Sequence, residues 1–160
     1  MRRILVDPNV LLDVLLDRPP YVEASAALWA VVERGRVEGY VAAHGVTTLF
    51  YLIAKAKGRR VARSAITALL SVFRVAPVDE AVLLRAAALD LPDFEDAVAA
   101  AAAEAAACDA IVTRDADSFV GAPVEPLDPL LALAALADDG PAPQDEVHEP
   151  RAAYARGAIR

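Results

Sequence analysis

Apolar residues fall along this chain in two alternating rhythms. Short, mostly apolar runs at Arg3–Val6, residues 40–43, Arg74–Ala76 and Ala110–Val112 predict strands, with a fifth near Val124. Between them, apolar positions recur at helical spacing. Val10, Leu11, Val14 and Leu15 share one face of a helix at residues 9–16, which Arg18, Pro19 and Pro20 bring to an end. Further helices are predicted at residues 22–34, 47–56, 61–73, 79–89, 93–108 and 127–137, with Gly35 and Gly58 as stops. Short strands alternating with helices imply parallel crossovers and an α/β sandwich. From residue 138 the apolar periodicity ends and Asp, Gly, Pro, Gln and Glu take over. Residues 1–137 are therefore expected to form one domain, and residues 138–160 a polar tail without a fixed fold.

Composition narrows the class. A chain of 160 residues is long enough for one domain with a substantial core. The apolar fraction is 57%, much of it alanine, and aromatics are few, which favours helices packed through small side chains over a β-sandwich. The single cysteine, Cys108, excludes an internal disulfide framework and fits a reducing cytoplasm. Cys108, Trp29 and Tyr40 read as core. No segment reads as membrane-spanning: the longest uncharged stretch, residues 39–54, is shorter than the ~20 residues required. Arg2 and Arg3 ahead of apolar residues imitate a secretion signal, but Asp7, Asp13 and Asp17 interrupt the apolar run behind them.

The net charge of −7 argues against binding nucleic acid through bulk charge. Acids gathered around a metal would inflate that count without repelling a substrate once the ion is bound, and the tail adds further acids.

The placement of the acids is more telling. In open parallel sheets, chemistry gathers beyond the carboxyl ends of the strands. Asp7 ends the first strand, and Asp115 and Asp117 follow the fourth. Asp93, Glu95 and Asp96 crowd the first turn of the alanine-rich helix leading into the fourth strand. If the first and fourth strands are neighbours, Asp7, Asp96 and Asp115 can converge. Three such carboxylates repel unless a cation neutralises them, and an oxygen-only set suits Mg2+ or Mn2+. Each acid also has an ordinary reading. Asp7 before Pro8-Asn9 can cap a helix, Asp93 with Asp96 resembles a capping box, and Asp115 or Asp117 can cap a short turn. Glu95 lies about 100° around the helix from Asp96 and is taken as solvated, and Asp13 as a surface residue. His44 reads as a polar residue near a strand end. Phosphate-loop, serine-nucleophile and C-x-x-C patterns are missing.

Three blocks, ILVDPNVLLDVLLDRPP, GYVAAHGVTTLFYLIAK and LPDFEDAVAAAAAEAAACDAIVTRDADSF, together resemble the PIN domain as found in VapC-type toxins of bacterial toxin–antitoxin pairs. The likeness spans residues 4–137, and the order of the blocks is more specific than any one of them. It implies a three-layer α/β/α sandwich with a short central parallel sheet. It also implies hydrolysis of RNA with Mg2+ or Mn2+, the metal held by Asp7, Asp96 and Asp115, with Asp117 as a further catalytic acid. Asn9 and Thr113 would orient the ligands. Implied partners are an RNA substrate, a cognate antitoxin and a second copy in a homodimer, with no membrane. Thr48 stands where many members carry a glutamate, and a neutral hydroxyl binds a hard cation less well than a carboxylate. Lys55, Lys57, Arg59, Arg60 and Arg63 would supply a basic rim for phosphates, or form an ordinary solvated helix junction. Two other readings stay open: a catalytically weak fold of this kind that binds RNA or protein, and phosphotransfer on Asp7.

Overall fold

A computed structural model describes residues 1–138. The expected tail thus lies outside the described residues except for Asp138, the last residue of the final helix. Five strands, β1 (Arg3–Val6), β2 (Glu38–Ala42), β3 (Arg74–Ala76), β4 (Ala110–Val112) and β5 (Glu125–Leu127), form one sheet. Their order is β3-β2-β1-β4-β5, and every pairing is parallel. The helices are α1 (Pro8–Leu15), α2 (Val22–Glu33), α3 (Ala43–Lys57), α4 (Arg59–Val72), α5 (Glu80–Ala87), α6 (Phe94–Ala105) and α7 (Pro129–Asp138). A short 3-10 turn, Ala116–Phe119, follows β4.

The strands are apolar throughout because both faces are covered, and successive side chains serve different layers. Ile4 and Val6 join a core with Leu11, Leu28, Leu49 and Leu69, from α1 to α4. Leu5, between them, joins the opposite core with Ile111 and the alanines of α6. The result is an α/β/α sandwich. Residues 97–103 of α6 are all buried, and every one but Val98 is alanine. Side chains of one methyl group let this helix lie close to both the sheet and α5. Trp29 and Phe73 meet edge to face at 4.9 Å, and Cys108 is buried, as expected of core residues. Burial pushes the Cys108 thiol up to about 12.

Helix α3 begins at Ala43, earlier than the periodicity suggests, because Ala42 ends β2 and enters the helix without an intervening loop. Gly39 on β2 has a steric role. A Cβ there would stand 2.6 Å from Val32 Cγ1 and 2.7 Å from Phe73 Cδ1. Phe73 is locked against Trp29, so neither neighbour can yield freely. Gly39→Ala is expected to destabilise the fold by about 1–3 kcal/mol, read from chemical unfolding. An unchanged midpoint would mean that the pair repacks.

Candidate functional site

β1 lies between β2 and β4, with Val6 level with Val112. Strand order reverses direction at the β1–β4 boundary, the position where open parallel sheets leave a crevice beyond the strand ends. Asp7 leaves β1 at that point. Its carboxylate caps α1, with Oδ1 accepting the Asn9 N–H at 3.1 Å. Oδ2 accepts the Thr113 hydroxyl at 2.7 Å. Thr113 Oγ1 in turn accepts the Asp115 N–H at 3.0 Å, so one buried hydroxyl ties the end of β1 to the acid after β4. Ser118 donates to Asp115 Oδ2 at 2.7 Å. Asp7 therefore both caps the helix and carries a buried carboxylate; the two readings of D-P-N are compatible.

Asp7 sits between two cavities. One, of about 260 Å³, is shared with Asp96, Asp93, Glu95, Thr48 and His44. The other, of about 320 Å³, is shared with Asn9, Asp115, Tyr21 and Arg114. Asp93 caps α6 by accepting the N–H groups of Glu95 (2.7 Å) and Asp96 (3.3 Å), which leaves the Asp96 carboxylate to the cavity. Burial, then the negative charges of Asp93, Asp7, Asp115 and Glu95, push Asp96 up to about 6. Burial also raises Asp7, against the bonds from Thr113 and Asn9.

The structure bears on several expectations. Glu95 is exposed, as expected of a solvated residue, yet it also lines the same cavity as Asp96, and its Oε1 accepts the Thr48 hydroxyl at 3.2 Å. A carboxylate from α6 thus reaches the α3 position that carries only a hydroxyl. His44 lies in the first turn of α3, on the cavity wall; burial lowers its pKa, against Glu95. Asp117 is exposed on the 3-10 turn and lines neither cavity. Lys55, Lys57, Arg59, Arg60 and Arg63 are exposed and line neither cavity.

The largest correction is Asp13. It is fully buried, not a surface residue. Its Oδ2 accepts the Ser25 hydroxyl at 3.2 Å and lies 3.1 Å from Arg114 Nε, while Oδ1 lies 3.7 Å from Arg18 Nε. Asp13 Oδ1 and Arg114 Nε complete no hydrogen bond among the described residues, so the arginine contacts are electrostatic. Arg114 also lies over the Tyr21 ring at 4.0 Å.

Among the described residues, no three acidic, imidazole or thiol side chains stand close enough to enclose a metal ion. The carboxylate donors are nevertheless all oxygens, and burial together with acid neighbours disfavours the Asp96 anion. That combination does not suit a closed cage. It suits a hard divalent ion that keeps several waters and takes only one or two carboxylates directly, as Mg2+ does. Among the described residues no helix is long and apolar enough to cross a membrane.

A sequence profile of the PIN domain matches residues 3–117. No curated protein matches the chain. Among solved structures, FitAcB from Neisseria gonorrhoeae is 26% identical, with a TM-score of 0.64 over 79% of this chain and 98% of that one. FitAB bound to an IR36 DNA fragment is also 26% identical, with a TM-score of 0.65 over 79% and 94%. VapC20 of Mycobacterium tuberculosis, a sarcin-ricin loop cleaving toxin, is 19% identical with a TM-score of 0.60 over 73% and 93%, a likeness of fold.

Proposed function

The chain belongs to the PIN domain family, and from that premise we propose that it is an endoribonuclease dependent on Mg2+ or Mn2+, the toxin of a toxin–antitoxin pair. The observation that carries this reading is the position of Asp7: a buried carboxylate at the crevice of the sheet, facing Asp96 in one cavity and Asp115 in the other. Asp7, Asp96 and Asp115 would hold the ion, directly or through water. When bound, the ion supplies positive charge at the scissile phosphodiester and lowers the pKa of a water molecule. Thr113 ties the Asp7 carboxylate to the backbone N–H of Asp115, and Ser118 orients the Asp115 carboxylate. Glu95 adds a fourth carboxylate near Asp96, on the side where Thr48 provides none. Asp117, exposed on the 3-10 turn, is left with an outer role.

The structural likeness to VapC20 and to the Fit assemblies supports the toxin reading at the level of fold. Its expected setting is the cytoplasm, with an antitoxin and a second copy of the chain as partners. Exposed Leu84 on α5 and Leu130 and Leu131 on α7 are apolar surface available to such contacts. The decisive experiment incubates the purified chain with pooled RNA. Cleavage is expected with Mg2+ or Mn2+, none with EDTA, and none with Asp96→Asn. If the wild type binds RNA tightly and cuts none under either ion, a binding role replaces the enzyme.

A further inference from the structure

An acidic site that acts on a polyanion needs a cation within reach of the phosphate. Arg114 is the only lysine or arginine among the described residues that lines either cavity. It shares the 320 Å³ cavity with Asp7 and Asp115. Resting on the ribonuclease reading, we propose that Arg114 and Tyr21 form the subsite for the nucleotide next to the scissile bond, with Arg114 gripping its phosphate and Tyr21 stacking on its base.

Three features support this assignment. First, Arg114 is held in place before any ligand arrives. Asp13, buried under it, lies 3.1 Å from Nε, and the Tyr21 ring supports the guanidinium at 4.0 Å. A fixed planar fork suits bidentate contact with phosphate. Second, Asp13 does not pair with Arg114 alone. It faces two guanidinium groups, Arg114 and Arg18, so these three groups together keep one positive charge, which lies beside the carboxylates of Asp7 and Asp115 in the cavity. Third, the outer parts of the pair remain accessible. Arg114 Nε is buried, yet the side chain keeps 21% of its surface, and Tyr21 keeps 48%. Base-on-aromatic stacking tolerates any base, so this subsite would position the strand without dictating sequence. Asp13 is a positioning residue: it touches no substrate and acts through Arg114.

The test uses the full chain, a labelled single-stranded RNA bound in EDTA, and cleavage kinetics in Mn2+. Arg114→Ala is expected to raise KM by about tenfold or more, the usual loss for a bond to a charged group, with kcat little changed. The slope of log binding constant against log salt should fall by about 0.7, one phosphate contact on a single strand. Arg114→Lys keeps the charge for Asp13 and should recover part of the loss. Tyr21→Ala should raise KM by at least about fivefold while Tyr21→Phe does not. If Arg114→Ala fails to fold, Arg114→Lys and the Tyr21 pair decide. Wild-type cleavage together with an unchanged KM and salt slope in a folded Arg114→Ala, or an unchanged KM in both Arg114→Lys and Tyr21→Ala, overturns the subsite alone. A wild type that neither binds nor cuts RNA overturns the functional reading, and the subsite falls with it.

Discussion

Asp7→Asn is expected to lower RNA cleavage by roughly a thousandfold or more while leaving the fold intact. The two halves of that expectation have separate causes. Asparagine caps a helix as well as aspartate does, so its Oδ1 can still accept the Asn9 N–H and α1 keeps its start. The Thr113 hydroxyl, which now donates to Asp7 Oδ2 and accepts the Asp115 N–H, can use its second lone pair to accept from the new amide, giving up its own donor bond. Side-chain volume and burial hardly change. Removing the charge also removes a desolvation cost, since burial already disfavours the Asp7 anion. Thermal stability should therefore stay level or rise. Activity cannot survive in the same way. Asp7 is the one acid facing both cavities, and the neutral amide removes a full negative charge from the point where a divalent ion would sit. A divalent ion stabilises charge in the transition state by several kcal/mol, and each 1.36 kcal/mol is tenfold in rate. Cleavage kinetics, Mn2+ binding and a melting curve on the same preparation separate the effects. Full activity with a normal melting curve would remove Asp7 from the mechanism.

The strands and most helices are legible in the sequence because their signals are local. Short apolar runs alternating with 3.6-residue periodicity specify elements whatever lies elsewhere in the chain. The acids at the ends of β1 and β4 can converge only if these strands are neighbours, and they are; Asp7 borders both cavities, Asp96 one of them and Asp115 the other. Asp13 is misread because amphipathic spacing assigns it to the polar face of α1. That helix is packed nearly all round: Val10, Leu11, Leu12 and Leu15 are buried with it. The signal is present in the sequence, as a single charge in an otherwise apolar turn, which calls for a buried partner. The partners themselves are not legible. Arg114 lies 101 positions away and meets Asp13 only because β4 lies beside β1. Glu95 is exposed, as its helical angle suggests, but its bond to Thr48 is not legible, because α3 comes across the cleft only in the fold. The basic cluster at residues 55–63 is dense in sequence, and its residues are exposed around the α3–α4 junction without lining either cavity.

Asp13→Ala is expected to be the most destabilising single truncation near the site, by about 3 kcal/mol, the lower part of the range for breaking a buried ion pair. The carboxylate is fully buried, so its removal leaves Arg114 and Arg18 facing each other without the anion that holds them. The loss lies at the low end because both arginines retain exposure, 21% and 38%, and can regain water by shifting outward. A drop of that size lowers a urea midpoint by roughly 1–3 M. Asp13→Asn, which keeps the volume and a carbonyl for Ser25 while losing the charge, separates electrostatics from packing. It should lose nearly as much as alanine if charge dominates. The double variant Asp13→Ala/Arg114→Ala should then be less destabilised than the sum of the two singles, because the residues are in contact. Strict additivity, or an Asp13→Asn protein as stable as wild type, would show that Asp13 is kept for shape and not as the counterion of Arg114.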